Sequence, residues 1–429
     1  MAFHTISGLF IRVFTCFSYV VFLRVQVVTQ QSSSSQMAKL LFLVIILAAA
    51  GQMTQTMYVP AIPAMAHDFG VQSSYLQAVM AAYLIPYGLS QFVYGPLSDR
   101  IGRRPVIIVG MVIFLIGTIG ALLAPSFELF LLASFIQGAG TGCSGAMCRT
   151  VTRDCYDGED LHKANSLVSM GVIFSPLIAP VLGGYLSSMF DWSASYIFLL
   201  VFGAIVTLAM MFMFTETLPV ESRRNERVLV SYRYVLSNRR FQGYVLCLIA
   251  TFAGIAVFEA AAGVLLGSVL KLDSKTVSWL FVLPLPGYLA GSWMSSALVK
   301  RIGNSRVMYL GMLAIILGSL TVLIPGMAGL VTVSSLIGGA FIYFIGAGIL
   351  FPAATTAAIQ PFPQHAGTAG AILGGLQNLG AGIATLSASF MRADDQFSVG
   401  SVMTVMSILV VLSLIWVKRS SQQDTPVLV

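Results

Sequence analysis

Glu259 is the one acidic residue well inside a long apolar run, in the stretch Gly254-Ile255-Ala256-Val257-Phe258-Glu259-Ala260. An acid at the centre of a membrane helix costs on the order of 2.5–3.5 kcal/mol on insertion scales, so it normally faces a polar pathway. Two chemistries suit it: uptake and release of a coupling proton, or binding of a cationic substrate. A structural tether to a neighbouring Tyr or backbone group is the competing role. No other chemistry assembles around it. The four histidines and Cys16, Cys143, Cys148, Cys155 and Cys247 include no CxxC pair and no zinc-type spacing. No metal, cofactor or disulfide is therefore expected. No nucleophile–base set for an enzyme can be built from these residues, and no GxxxxGK[ST] loop for an ATP-driven pump is present.

Polar and aromatic residues at helical spacing are expected to line a pathway with this acid. Gln52, Gln55 and Tyr58 recur every three residues, and Tyr83, Tyr87, Gln91 and Tyr94 share one helical stripe. Phe258 adjoins Glu259, while Trp279, Phe281, Tyr288 and Gln377 lie in other apolar runs. Such a lining offers π faces and a few hydrogen bonds, which suits bulky apolar cations or amphipaths. Helix packing and interfacial aromatic belts are the plainer explanation for each.

The elements that must position these groups are membrane spans. Of 429 residues, 57% are hydrophobic and 9% charged, against about 25% charged in soluble domains. A helical span takes about 20 mostly apolar residues. Twelve such runs occur, near 40–64, 74–96, 105–124, 127–149, 164–188, 193–214, 241–267, 276–298, 306–325, 329–352, 366–390 and 398–417. The predicted fold is therefore an all-α integral membrane protein of twelve transmembrane helices. Residues 37–214 and 241–420 form two six-helix halves, joined by a cytoplasmic linker at 215–240 and followed by a cytoplasmic tail at 421–429. Residues 1–36 read as an interfacial or disordered extension, with Met37 as the alternative start.

Charge placement gives the orientation. Arg100, Arg103, Arg104, Arg149, Arg153, Lys163, Arg223, Arg224, Arg227, Arg233, Arg239, Arg240, Lys300, Arg301, Arg306, Lys418 and Arg419 fall in loops of one side. Only Lys271, Lys275 and Arg392 fall on the other. That bias puts the arginine-rich loops and both termini in the cytoplasm. It also explains the net charge of +7 without a nucleic-acid-binding face, for which no soluble segment is long enough.

Three patterns carry mechanism. The loop Gly95-Pro96-Leu97-Ser98-Asp99-Arg100-Ile101-Gly102-Arg103-Arg104-Pro105 combines turn-forming glycines, basic residues and a lone acid. At a helix end, Asp99 can meet an Arg or the positive N-terminus of another helix. Arg301-Ile302-Gly303 repeats Arg100-Ile101-Gly102 at the matching place of the other half. Gly346-Ala347-Gly348 likewise echoes Gly138-Ala139-Gly140. Such repeats mark transporters built from two related halves with a site between them. The fifth run contains Gly171, Pro176, Pro180, Gly183 and Gly184; small residues permit close helix contact in lipid, and prolines free backbone carbonyls.

The loop at 95–105 resembles the signature of the major facilitator superfamily, and the fifth run resembles the antiporter motif of its drug/proton antiporters. The likeness extends from Met37 to the last span. It implies a bacterial inner-membrane exporter of hydrophobic or amphipathic compounds, working by alternating access, driven by protons and acting as a monomer in lipid. It further implies that Gly95, Asp99, Arg100, Gly102, Arg103 and Arg104 form a cytoplasmic latch, and that a bent fifth helix seals against the second half. Two positions depart from the usual pattern: Ala179 stands for Gly, and Ser134 for an Arg three residues before Gln137-Gly138. A carrier of one defined metabolite, such as a sugar or organic anion, is the same-fold alternative. A receptor or scaffold is disfavoured by two related halves with no sizeable soluble domain.

Overall fold

The computed structural model describes residues 34–156, 158–219, 228–362, 365–391 and 395–423. Expectations for residues 1–33, for Arg223, Arg224, Arg227 and Arg392, and for the end of the tail lie outside the described residues.

Long apolar runs fold as helices because no other open structure satisfies every backbone N–H and C=O within lipid. In chain order they are α1 Ser34–Thr56, a short α2 Ile62–Asp68, α3 Gln77–Ile101, α4 Arg103–Leu122, α5 Phe127–Cys155, α6 Gly158–Met189 and α7 Ser193–Met213. After the linker helix α8 Val228–Leu236 come α9 Arg239–Gly263, α10 Ser274–Val282, α11 Pro284–Ile302, α12 Asn304–Met327, α13 Val333–Ile359, α14 Ala366–Ser389 and α15 Gln396–Gln423. Several N-termini are capped where the sequence supplies an acceptor. Ser126 accepts from the Leu129 amide at 3.4 Å and Asn238 from Phe241 at 2.9 Å.

Eleven helices among the described residues are long and apolar enough to cross a membrane. The twelfth expected run, 276–298, is instead broken into α10 and α11 at Leu283. Pro284 has no N–H to continue the ladder, which is why the helix breaks there. Leu283 keeps helical dihedrals of −54° and −33°, so the two pieces continue in the same direction. By contrast, α6 runs unbroken through Pro176 and Pro180. The end of α9 widens into a π-helix over Val264–Val269.

Burial sorts the helices into layers. Val112, Ile116 and Ile119 on α4, Leu208 and Phe212 on α7, Leu313 and Leu317 on α12, and Ile408 and Leu412 on α15 are exposed. These apolar faces are the ones that need lipid. Helices α1 and α9 are buried along most of their length and lie centrally.

The two halves show the same local architecture. Each turns from one span into the next at a glycine of positive φ, Gly102 at 103° and Gly303 at 83°, a conformation that favours Gly. Gly95, by contrast, lies inside α3 with open space where a Cβ would stand, so Gly102 alone makes the turn. The glycine echo is also present, in a register displaced by two residues from the one expected. A Cβ on Gly140 would lie 2.6 Å from the Gly110 carbonyl oxygen, and one on Gly346 would lie 2.6 Å from that of Gly311. A Cβ on Gly142 would crowd the Tyr87 carbonyl, and one on Gly348 would strike that of Tyr288. The structural equivalent of Gly346-Ala347-Gly348 is thus Gly140-Thr141-Gly142. Gly138 faces the Tyr83 carbonyl instead.

Candidate functional site

Glu259 lies on α9 and is 6% exposed; it is the one acidic residue that is fully buried among the described residues. Its Oε2 accepts a hydrogen bond of 3.1 Å from Nε2 of Gln55 on α1. The bond joins the first six spans to the last six. One turn further along both elements, Gly263 meets the Val59 carbonyl with no room for a side chain. The Tyr58 hydroxyl is buried without a hydrogen-bond partner and lies within electrostatic reach of Glu259. An amide donor and a carboxylate therefore meet at the boundary between the halves, with an unpaired buried hydroxyl on the same face of the first span. This set can hold or pass a proton, or accept a cationic or hydrogen-bonding group, once one member exchanges its partner.

The other residues expected along the pathway take different places. Tyr83 and Tyr87 hold the first half together. The Tyr83 hydroxyl donates to the Gly51 carbonyl at 2.6 Å and accepts from Thr141 at 2.8 Å, and its ring stacks on Tyr87 at 5.7 Å. Phe258 is fully buried within the second half, between Phe281 at 6.4 Å and Phe344 at 5.9 Å. Gln91 sits at the seam of α3, α5 and α14, where a Cβ on Gly374 would lie 2.7 Å from its Oε1, and its Nε2 is buried without a partner. Gln52 and Gln377 are half-buried. Trp279 is 54% exposed and is not brought to Glu259.

The glycines of α6 serve two contacts. Gly171 admits Ile45 and Gly183 admits the Met57 carbonyl, both from the first half. Gly184 admits Ser278 and the Ser274 carbonyl of α10, in the second half.

At the arginine-rich end, the loop after α3 forms a charged cluster. Arg103 is 3% exposed. Its guanidinium donates to Asp99 Oδ1 at 2.5 Å, Asp154 Oδ2 at 2.8 Å and Ser98 Oγ at 2.6 Å. Glu216 accepts from the backbone amides of Arg103 at 2.8 Å and Arg104 at 3.1 Å, placing a carboxylate on the positive end of α4. Arg104 also donates to the Met211 carbonyl, and Arg100 is exposed. Tyr232 of α8 stacks edge-on against Phe92, and its phenol is pushed up to about 12 by burial and then by the Asp99 carboxylate. In the sequence Arg149 counts only toward orientation, and nothing singles out Asp154 or Glu216. Arg149 on α5 donates to the Gly370 carbonyl of α14 at 2.8 Å, across the halves. The one signal in the sequence was that an isolated acid such as Asp99 needs a partner.

A bundle of paired six-helix halves with one carboxylate buried at their boundary defines a secondary membrane carrier. The Major Facilitator Superfamily model matches residues 41–385, and matches again over 244–425; the chain belongs to that family. Within it, the chain is 47% identical over 380 residues to Multidrug resistance protein D of Escherichia coli (strain K12), covering 88% of this chain and 96% of that protein. It is 27% identical over 327 residues to the Chloramphenicol resistance protein of Pseudomonas aeruginosa, covering 75% of this chain and 77% of that one. Among solved structures, the xylose transporter XylE from E. coli superposes with a TM-score of 0.70 at 13% identity, covering 90% of this chain and 98% of that chain. That likeness is one of fold.

Proposed function

We propose that this protein is a proton-coupled exporter of hydrophobic or amphipathic compounds, a multidrug antiporter working by alternating access. In this reading it lies in a bacterial inner membrane, with both termini and the arginine-rich loops in the cytoplasm, and acts as a monomer in lipid. The observation that carries the reading is the Gln55–Glu259 hydrogen bond between the halves. An ionised carboxylate holds an amide donor more strongly than a neutral one does. Protonation of Glu259 weakens that bond and loosens the halves; release of the proton restores it. A two-state carrier biased in this way exchanges a proton for cargo as it alternates. The resemblance to drug-resistance proteins supports the substrate class. The cluster at Asp99, Arg103 and Asp154 acts as the cytoplasmic latch, and the glycines of α6 let it seal against α10.

Everted vesicles test this. Dye movement is measured with and without an imposed pH gradient, in the wild type and in Glu259→Gln. The expected outcome is gradient-dependent transport that Glu259→Gln loses by at least tenfold. Transport at the wild-type rate with unchanged pH dependence in Glu259→Gln overturns the coupling role. Gradient-independent transport in the wild type overturns antiport.

A further inference from the structure

On the side away from the arginines, the path beyond Glu259 is closed by a regular series of contacts. Gln55 meets Glu259, then Val59 meets Gly263, then Pro63 meets Gly267, and finally Ser268 Oγ donates to Ser73 Oγ at 2.8 Å. Each step crosses from the first half to the second. Gly267 is required for the third, because a Cβ there would lie 2.7 Å from the Pro63 ring. A second seam runs beside the first. Gly184 abuts the Ser274 carbonyl, and Lys275 Nζ stands 5.5 Å above the Tyr185 ring.

We propose that Ser73 and Ser268 form the exit gate of the carrier, the last seal between Glu259 and the face opposite the arginines. Two features make this seal one that opens. First, its crossing contacts are glycine backbone, the Ile62 side chain on Gly263, a proline ring and a single hydroxyl pair, with no ion pair between Ser73 and Ser268 or their neighbours among the described residues. Parting it exchanges one hydroxyl–hydroxyl bond for bonds to water, a change of small net cost. Second, Gly267 and Ser268 lie on the π-helical segment Val264–Val269, where the Leu270 amide bonds back to the Leu265 carbonyl at 2.9 Å. A π-segment holds one surplus residue in its turn, and such segments concentrate at functional sites. Drawing that residue back into an α-helix rotates Ser268 away from Ser73. Both are positioning residues, because they close the pathway without binding cargo.

The inference rests on the carrier reading for its purpose, so the test includes a readout independent of transport. Cys16, Cys143, Cys148, Cys155 and Cys247 are replaced by Ser, and Ser73→Cys, Ser268→Cys and Thr56→Cys are introduced. Thr56 is buried beside Gln55, with its Oγ1 unpartnered. Oxidation with copper phenanthroline is expected to join positions 73 and 268. A membrane-impermeant maleimide applied to the face opposite the arginines is expected to label position 56 in the reduced protein, read by peptide mass spectrometry. Labelling should fall at least tenfold in the bridged protein, together with dye export, and both should return on reduction. Failure to form the bridge overturns the proposed geometry. Equal labelling of position 56 in bridged and reduced protein, including none in either, overturns the gating role. Loss of coupling in Glu259→Gln is scored separately and bears only on the carrier reading.

Discussion

The turns at Gly102 and Gly303 share the tripeptide Arg-Ile-Gly, ending on the glycine, and nearly the same backbone. Their chemistry differs. Around the first, Arg103 is buried against Asp99 and Asp154, and Glu216 covers the start of α4. Around the second, the residue after the glycine is Asn304, whose amide donates to the Ala353 carbonyl at 3.3 Å, and no ion pair forms there among the described residues. The common glycine is what the turn requires. The carboxylates are additional, and they occur in one half only. The turn is thus common to both halves, and the charge cluster belongs to the first alone among the described residues.

Four measurements can break or sharpen that contrast. Arg103→Ala takes the guanidinium from Asp154, which keeps only the Thr217 hydroxyl at 3.4 Å, and removal of one member of a buried pair costs about 3–5 kcal/mol. The denaturation midpoint in detergent should fall most for this variant. Gly140→Ala and Gly346→Ala each force a methyl group against an opposing carbonyl, an overpacking worth about 1–3 kcal/mol. These two should be matched in size, whereas Gly138→Ala should disturb α3 rather than α4, seen by cysteine accessibility along each helix. Gly102→Ala and Gly303→Ala strain an extended backbone of positive φ that is essentially glycine-only, by about 1–3 kcal/mol, again in matched amounts. Asn304→Ala removes a neutral hydrogen bond, worth about 0.5–1.5 kcal/mol. If Asn304→Ala proved as damaging as Arg103→Ala, the two corners would be equivalent and the asymmetry false.

Much of the fold was legible because lipid imposes so strict a rule on sequence. Apolar length located the spans, and the Arg-Ile-Gly repeat located both turns. Glu259 stood out because a carboxylate in an apolar run has few places to go. What was not legible depended on distant contacts. Gln55 and Glu259 are 204 residues apart, and Arg103 and Asp154 are 51 apart; no local pattern pairs them. The glycine echo was misplaced by two residues because a Gly-x-Gly tripeptide fits a glycine-rich helix in more than one register. The opposing carbonyls of Gly110 and Gly311, and of Tyr87 and Tyr288, decide between them. Trp279 shows the limit of aromatic stripes, since a ring on a membrane helix serves an exposed face as readily as a pathway. The broken eighth span was written in Pro284 and Pro286, but hydropathy averages over such a break.

The seam between α3 and α14 has a mechanical consequence. Gly88 sits against the Gly375 carbonyl and the Leu379 amide, and Gly382 against Ile85. Backbone touches backbone at Gly88, while the Phe92 ring rests on Gly375 and the Ile85 side chain on Gly382. A joint this close resists separation through packing, and the glycines on it raise no side-chain ridges of their own against sliding or rolling. It is built like a bearing, about which each end of the molecule could part in turn while the middle stays in contact.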